Sequence, residues 1–389
     1  MEHDRTRAMP AILAAATLMI VAAPALAAPL ADAQLESTVS AAIRPLMQQQ
    51  AIAGMAVAIS VEGKQHYFNF GVASKQTEQP VTADTLFEIG SVSKTFTATL
   101  AGFAQASGAL SLSDTASKHW PALKGTALDG ITLLNLGTYS AGGLPLQFPD
   151  EVKAPSDLLG YYTHWKADYA PGTHRLYSNP SLGLFGYLAA RSLNAPFADL
   201  MQKQLLPQMG LQHTFIQVPT EQLSHYAQGY NKDDQPVRVG PGPLDAEAYG
   251  LKTTSADLLH YLELNMRPKA QSPVLERTLA ITQTGYYRVG EMIQGLGWEM
   301  YRYPVSLDQL LKGNTNEMAL QPQPVTWLKP IRVPQPDTWL NKTGSTNGFG
   351  AYVAFVPSKN IAIVLLANKN YPNAERIKAA HAILGAVDR

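Results

Sequence analysis

Two groups of strand-like segments, one near the start of the chain and one near its end, constrain this fold more than anything else in the sequence. Residues 55–61 and 65–70 flank a Glu62-Gly63 turn and have the pattern of a hairpin. Residues 338–344, 350–356 and 360–366 form three further runs, the last two joined by a tight turn at Pro357 to Lys359. Unpaired strands are a liability in water, so both groups are expected in one antiparallel sheet. Helical periodicity at Leu35, Val39, Ile43, Leu46 and Met47, and at Ile377, Ala380, Ile383 and Leu384 over residues 373–387, supplies terminal helices to cover it. Between about 90 and 300 the texture changes to helical segments, such as 95–106 and 182–193, separated by Pro- and Gly-rich loops. The expected fold is therefore α+β. An antiparallel sheet from both chain ends (residues 28–105 and 315–389), flanked by helices, carries an inserted, mostly helical domain (residues 106–314). A site is expected where the two parts meet.

Charge and composition remove several function classes. Lys+Arg 30 balances Asp+Glu 30, which leaves no electrostatic footprint for nucleic acid or anionic lipid. A hydrophobic share of 46% supports large cores, so the chain is not disordered. Cys 0 excludes disulfides, thiolate metal sites and a cysteine nucleophile together.

The start of the chain has the layout of a secretory signal peptide. Arg5 and Arg7 precede a short apolar stretch that closes on Ala25-Leu26-Ala27, and cleavage is expected after Ala27. The excised segment carries Glu2, Asp4, Arg5 and Arg7, so the mature chain stays neutral. No later apolar run approaches the length of a membrane span, so a periplasmic protein with no membrane contact after cleavage is expected.

No H-E-x-x-H or other metal-spaced histidine pair occurs, and neither does a phosphate-cradling glycine loop or a G-x-S-x-G elbow. No metal or cofactor is expected. What remains is a serine activated by something other than histidine. Ser91 and Lys94 form an S-x-x-K at a helix start, where i and i+3 share a face and free N–H groups favour a developing anion. Tyr177-Ser178-Asn179 is a Y-x-N triplet, although Tyr371-Pro372-Asn373 is another. Lys342-Thr343-Gly344 lies in a strand. S-x-x-K alone is expected about once by chance in such a chain, but K-T-G only about a tenth of a time, so the ordered set carries the weight.

These motifs, with the surrounding runs 87–96, 175–180 and 342–350, resemble the class C serine β-lactamases. Residues 294–300 and 367–373 extend the likeness over essentially the whole mature chain. The resemblance implies a small-molecule β-lactam substrate, a cephalosporin or penicillin, hydrolysed through a serine acyl-enzyme in a way that confers antibiotic resistance. It implies Ser91 as nucleophile, Lys94 and Tyr177 as general base, and Lys342 as a supporting charge. The backbone N–H groups of Ser91 and Ser345 would form the oxyanion hole. Asn179 and Gln147 would hold the substrate's side-chain amide, and Lys342, Thr343, Gly344, Asn370, Asn373 and Arg376 would face its carboxylate. Tyr249 is either an aromatic wall of the site or core packing.

Magnitudes leave the base open. Holding Tyr177 anionic near neutral pH requires lowering its pKa by about three units, roughly 4 kcal/mol, and holding Lys94 neutral requires about as much. A cation about 4 Å away at an effective dielectric near 20 supplies that amount to either, so the role is assigned to the pair. A D-Ala-D-Ala carboxypeptidase, a β-lactamase-like esterase and a sensor that stays acylated would use the same groups. A monomer is expected, since nothing points to an obligate partner.

Overall fold

Strands that are apolar on both sides must be covered on both faces, and this requirement organises the molecule. The computed structural model describes Met1 and residues 32–267 and 272–388. The expected signal peptide, residues 1–27, lies almost wholly outside the described residues. Nine strands form one sheet: β1 (Gly54–Val61), β2 (Lys64–Gly71), β3 (Gly285–Val289), β4 (Met292–Gln294), β5 (Glu299–Arg302), β6 (Thr326–Arg332), β7 (Thr338–Ser345), β8 (Gly350–Val356) and β9 (Ile361–Ala367). Their order is β6-β3-β4-β5-β7-β8-β9-β1-β2, antiparallel throughout. The two chain ends thus meet in the sheet, with Met55 opposite Ala367 and Val61 opposite Ile361.

Side chains of β1, β8 and β9 alternate between two cores. Val57, Ile59, Ala354, Ile363 and Leu365 pack with the helices α1 (Asp32–Gln49) and α6 (Asn373–Val387), burying Val39, Ile43, Ile377 and Ile383. Ala58, Val353, Phe355, Val364 and Leu366 face the other way, toward the helices α2 (Ser93–Ala106) and α4 (Ser255–Met266) and the side chains Phe96, Leu258 and Leu262. Near-continuous apolar runs therefore mark central strands with cover on both sides. The edge strand β2, by contrast, alternates exposed and half-buried residues along most of its length.

One expectation needs correction. The mostly helical insertion expected over residues 106–314 includes 285–302, yet β3, β4 and β5 lie there and join the main sheet. These strands are only three to five residues long, too short for their period to stand out from the flanking loops. The helix α3 (Asn179–Ser192) packs on α2, and α5 (Pro273–Thr282) packs on α2 from another side. The N-terminus of α2 is thereby held between the sheet and the helical region.

Candidate active site

Two glycines bring the start of α2 against β7. A 3₁₀ turn, Gly90–Val92, runs directly into α2. A Cβ on Gly344 would lie 2.0 Å from the carbonyl oxygen of Ile89, and one on Gly90, which holds a φ of +50°, would lie 2.4 Å from the nitrogen of Ser345. Only residues without a side chain allow this approach, and Gly90 also needs the left-handed backbone. The consequence is that Ser91 and Ser345, from segments remote in sequence, sit side by side.

Lys94 lies behind Ser91 and is completely buried. Its ammonium donates to Ser91 Oγ at 3.0 Å, to Asn179 Oδ1 at 2.6 Å and to the carbonyl of Ala248 at 2.8 Å. Three acceptors match its three N–H groups, which is the condition for keeping a buried ammonium. Asn179 is in place because Ser178 caps α3, accepting from the Ser181 N–H, with Pro180 in the first turn. Its Nδ2 then donates to Gln147 Oε1 at 2.9 Å.

Tyr177 precedes that cap and is ringed by cations. Lys342 Nζ lies 4.9 Å from its ring centroid, Lys94 Nζ 5.1 Å and the Arg175 guanidinium carbon 5.6 Å. Burial alone would raise the pKa of Tyr177, but the charges of Lys342 and Lys94 and the nearby Ser91 hydroxyl outweigh it and lower the value to about 8. Burial lowers Lys94 to about 8 as well, with Tyr177 opposing and Lys342 assisting. Their charges act on each other, so the titration belongs to the pair and not to either residue. Lys342 shifts the other way. Burial acts against its charge, yet Glu299 and Tyr177 raise its pKa, so it stays a cation.

Glu299 and Arg175 were not singled out from the sequence. The Glu299 carboxylate stands 3.6 Å from Lys342 Nζ and 3.1 Å from an Arg175 terminal nitrogen, and all three side chains are buried. Arg175 also donates to Gln294 Oε1 at 2.8 Å and to the carbonyl of Met318 at 2.7 Å. Glu299 is 124 residues from Arg175 in sequence, so no local pattern signals the pair.

A cavity of about 590 Å³ opens over these groups. Ser91, Gln147, Tyr177, Asn179, Tyr249, Lys342, Thr343, Gly344, Ser345, Asn370 and Asn373 line it, with Lys94 beneath. Tyr249 is a half-buried wall residue of this cavity. Arg376 is the exception. It was expected to face the substrate carboxylate, but it is fully buried and donates to the carbonyls of Gly344 at 2.6 Å and Ala351 at 3.2 Å and to Asn370 Oδ1 at 2.8 Å. Its guanidinium ties α6 to β7 and orients Asn370 from behind.

The sequence profile of the family described as Beta-lactamase matches residues 39–388. A β-lactamase of Pseudomonas fluorescens is 60% identical over 355 residues, covering 91% of this chain and 99% of that protein. One from Escherichia coli (strain K12) is 48% identical, covering 92% and 95%. Among solved structures, a class C β-lactamase in complex with cefoxitin superposes with a TM-score of 0.88 at 48% identity, covering 91% of this chain and 99% of that one. A β-lactamase/D-alanine carboxypeptidase from Pseudomonas syringae superposes with a TM-score of 0.89 at 50% identity, covering 90% and 98%.

Proposed function

The chain belongs to the β-lactamase family, in class C, and hydrolyses the β-lactam amide bond as a serine hydrolase; we propose that Ser91 is the nucleophile and that the Lys94–Tyr177 pair is its base. The observation that carries this reading is the contact of a fully buried Lys94 with Ser91 Oγ beside a tyrosine whose pKa is lowered to about 8. As Ser91 Oγ attacks the lactam carbonyl, its proton passes to the pair, and the same pair returns it to the departing nitrogen. The backbone N–H groups of Ser91 and Ser345 receive the oxyanion, each worth about 3–4 kcal/mol in the transition state. The pair then deprotonates the water that releases the acyl group. Lys342 keeps Tyr177 acidic and, with Thr343, Asn370 and Asn373, receives the substrate carboxylate. Asn179 and Gln147 take the side-chain amide, and Tyr249 supplies an apolar wall.

Cephalosporins and penicillins are the proposed substrates, with antibiotic resistance as the consequence. Export to the periplasm as a monomer completes the reading. No helix among the described residues is long and apolar enough to cross a membrane. The two-part division of the chain is likewise proposed, with β3 to β5 assigned to the sheet domain and the site at the junction.

Purified protein mixed with a chromogenic cephalosporin should turn over many equivalents and show an adduct mass on Ser91 under rapid quench. A permanent adduct without turnover would instead identify a sensor. The neighbour from Pseudomonas syringae favours a second activity on D-alanyl peptides. Release of D-alanine from a D-Ala-D-Ala peptide, lost in Ser91→Ala, checks it.

A further inference from the structure

A second cavity, of about 490 Å³, lies at the end of the sheet formed by β6, β3, β4 and β5 and shares no lining residue with the first. Arg288 on β3, Arg302 at the end of β5 and Arg332 at the end of β6 all line it, together with Glu291 and Gln309. The strands involved are neighbours in the order β6-β3-β4-β5, so the sheet itself sets the three guanidiniums around one space. The backbone helps: Gly285, opposite Arg332, has no side chain where a Cβ would come within 3.3 Å of Arg332 Cβ.

The charge here is left unbalanced. Among the described residues, the arginines that pair with a carboxylate are Arg175 and Arg267, and Arg332 has only the Thr338 hydroxyl at 3.3 Å. Glu291 is the one acid on the cavity wall, so three cations face one anion. Gln309 spends its Oε1 on the N–H and hydroxyl of Ser306, which leaves its amide N–H₂ as a donor. Three like charges around one space repel, a cost that an anion in the cavity would relieve. Burial lowers the pKa of Arg332, and the charges of Arg288 and Arg302 lower it further.

We propose that this cavity is a binding site for a compact phosphate-class anion, held by Arg288, Arg302 and Arg332. Guanidinium forks match the oxygens of a phosphate in paired hydrogen bonds, and several forks around one cavity favour a multiply charged phosphate over a single carboxylate. The source is either a free phosphate or pyrophosphate, or the phosphate of a lipid headgroup presented at a membrane surface.

Titration of the intact enzyme with inorganic pyrophosphate, followed by calorimetry at low salt, tests this. The expected result is saturable binding that weakens as salt rises and falls tenfold or more in Arg302→Gln and Arg332→Gln. Cephalosporin turnover should be unchanged in both, which also reports that they fold; Arg302→Lys replaces any variant that does not. A second arm measures cosedimentation with phosphatidylglycerol vesicles. Arginine-dependent sedimentation that pyrophosphate competes away identifies a headgroup as the source. Pyrophosphate binding without sedimentation identifies a free phosphate. Absence of both, or pyrophosphate binding unaltered in the arginine variants, overturns the proposal.

Discussion

The molecule gathers positive charge in two places and handles it in opposite ways. Around Tyr177, Lys94, Lys342 and Arg175 are buried, and each has a built-in answer: three hydrogen-bond acceptors for Lys94, and the Glu299 carboxylate for both Lys342 and Arg175. At the end of the sheet, Arg288 and Arg302 remain exposed and Arg332 half-buried, with one acid among them. The difference teaches what burial demands. A cation taken out of water must be neutralised or hydrogen-bonded by the protein, and the residual field is then available to shift neighbouring pKa values. A cation left near water can wait for a ligand.

The largest expected effect separates the two sites outright. Ser91→Ala should lower kcat by roughly 10⁴-fold or more while leaving pyrophosphate binding intact, measured with a chromogenic cephalosporin and by calorimetry. Equal loss of both would mean that the variant is misfolded and that the two sites are not independent.

Lys342→Met removes the charge that lowers both Tyr177 and Lys94. A fall of roughly 10²–10³-fold in kcat/KM is expected. The sign on the pH profile follows from the chemistry. As the proposed base the pair acts in its deprotonated form, activity is lost as pH falls through its pKa, and without Lys342 that pKa rises, so the acid limb moves to higher pH.

Glu299→Gln should move the acid limb the other way, because the carboxylate raises both Tyr177 and Lys94. It also leaves Lys342 and Arg175 buried without their anion, with an expected loss of about 3–5 kcal/mol in denaturant unfolding. A limb that moved in the same direction for Lys342→Met and Glu299→Gln would break the electrostatic account of the site.

The smallest effect is expected at the exposed cluster. Arg302→Ala should change stability by no more than about 0.5 kcal/mol and leave kcat/KM unaltered, since its guanidinium satisfies no buried partner. A larger loss would place the arginines in the architecture and not in a binding site.

Several parts of the molecule are legible in the sequence alone. Ser91, Lys94, Tyr177, Asn179 and Lys342 announce themselves through short motifs whose members are close in sequence and bound to a helix start or a strand. The hairpin and the three C-terminal strands were equally plain, because a run such as β9 is apolar on every residue. Glu299, Arg175 and the arginine cavity were not legible. A lone glutamate after a tryptophan, or an arginine every several residues, has no local signature, and its meaning depends on what lies across the sheet. Arg376 departs from what the resemblance implies for the same reason: its fully enclosed guanidinium turns away from the cavity to the backbone of β7 and β8.

Local pattern, then, is enough to point to the family, to Ser91 as the proposed nucleophile and to a sheet built from both chain ends, since turn chemistry, periodicity and motif spacing act over a few residues. Only the packed structure decides which charges share a space. Coulomb forces and desolvation depend on distance and burial, and the contacts that set them, Gly344 against Ile89 or Glu299 between Lys342 and Arg175, join segments far apart in the chain.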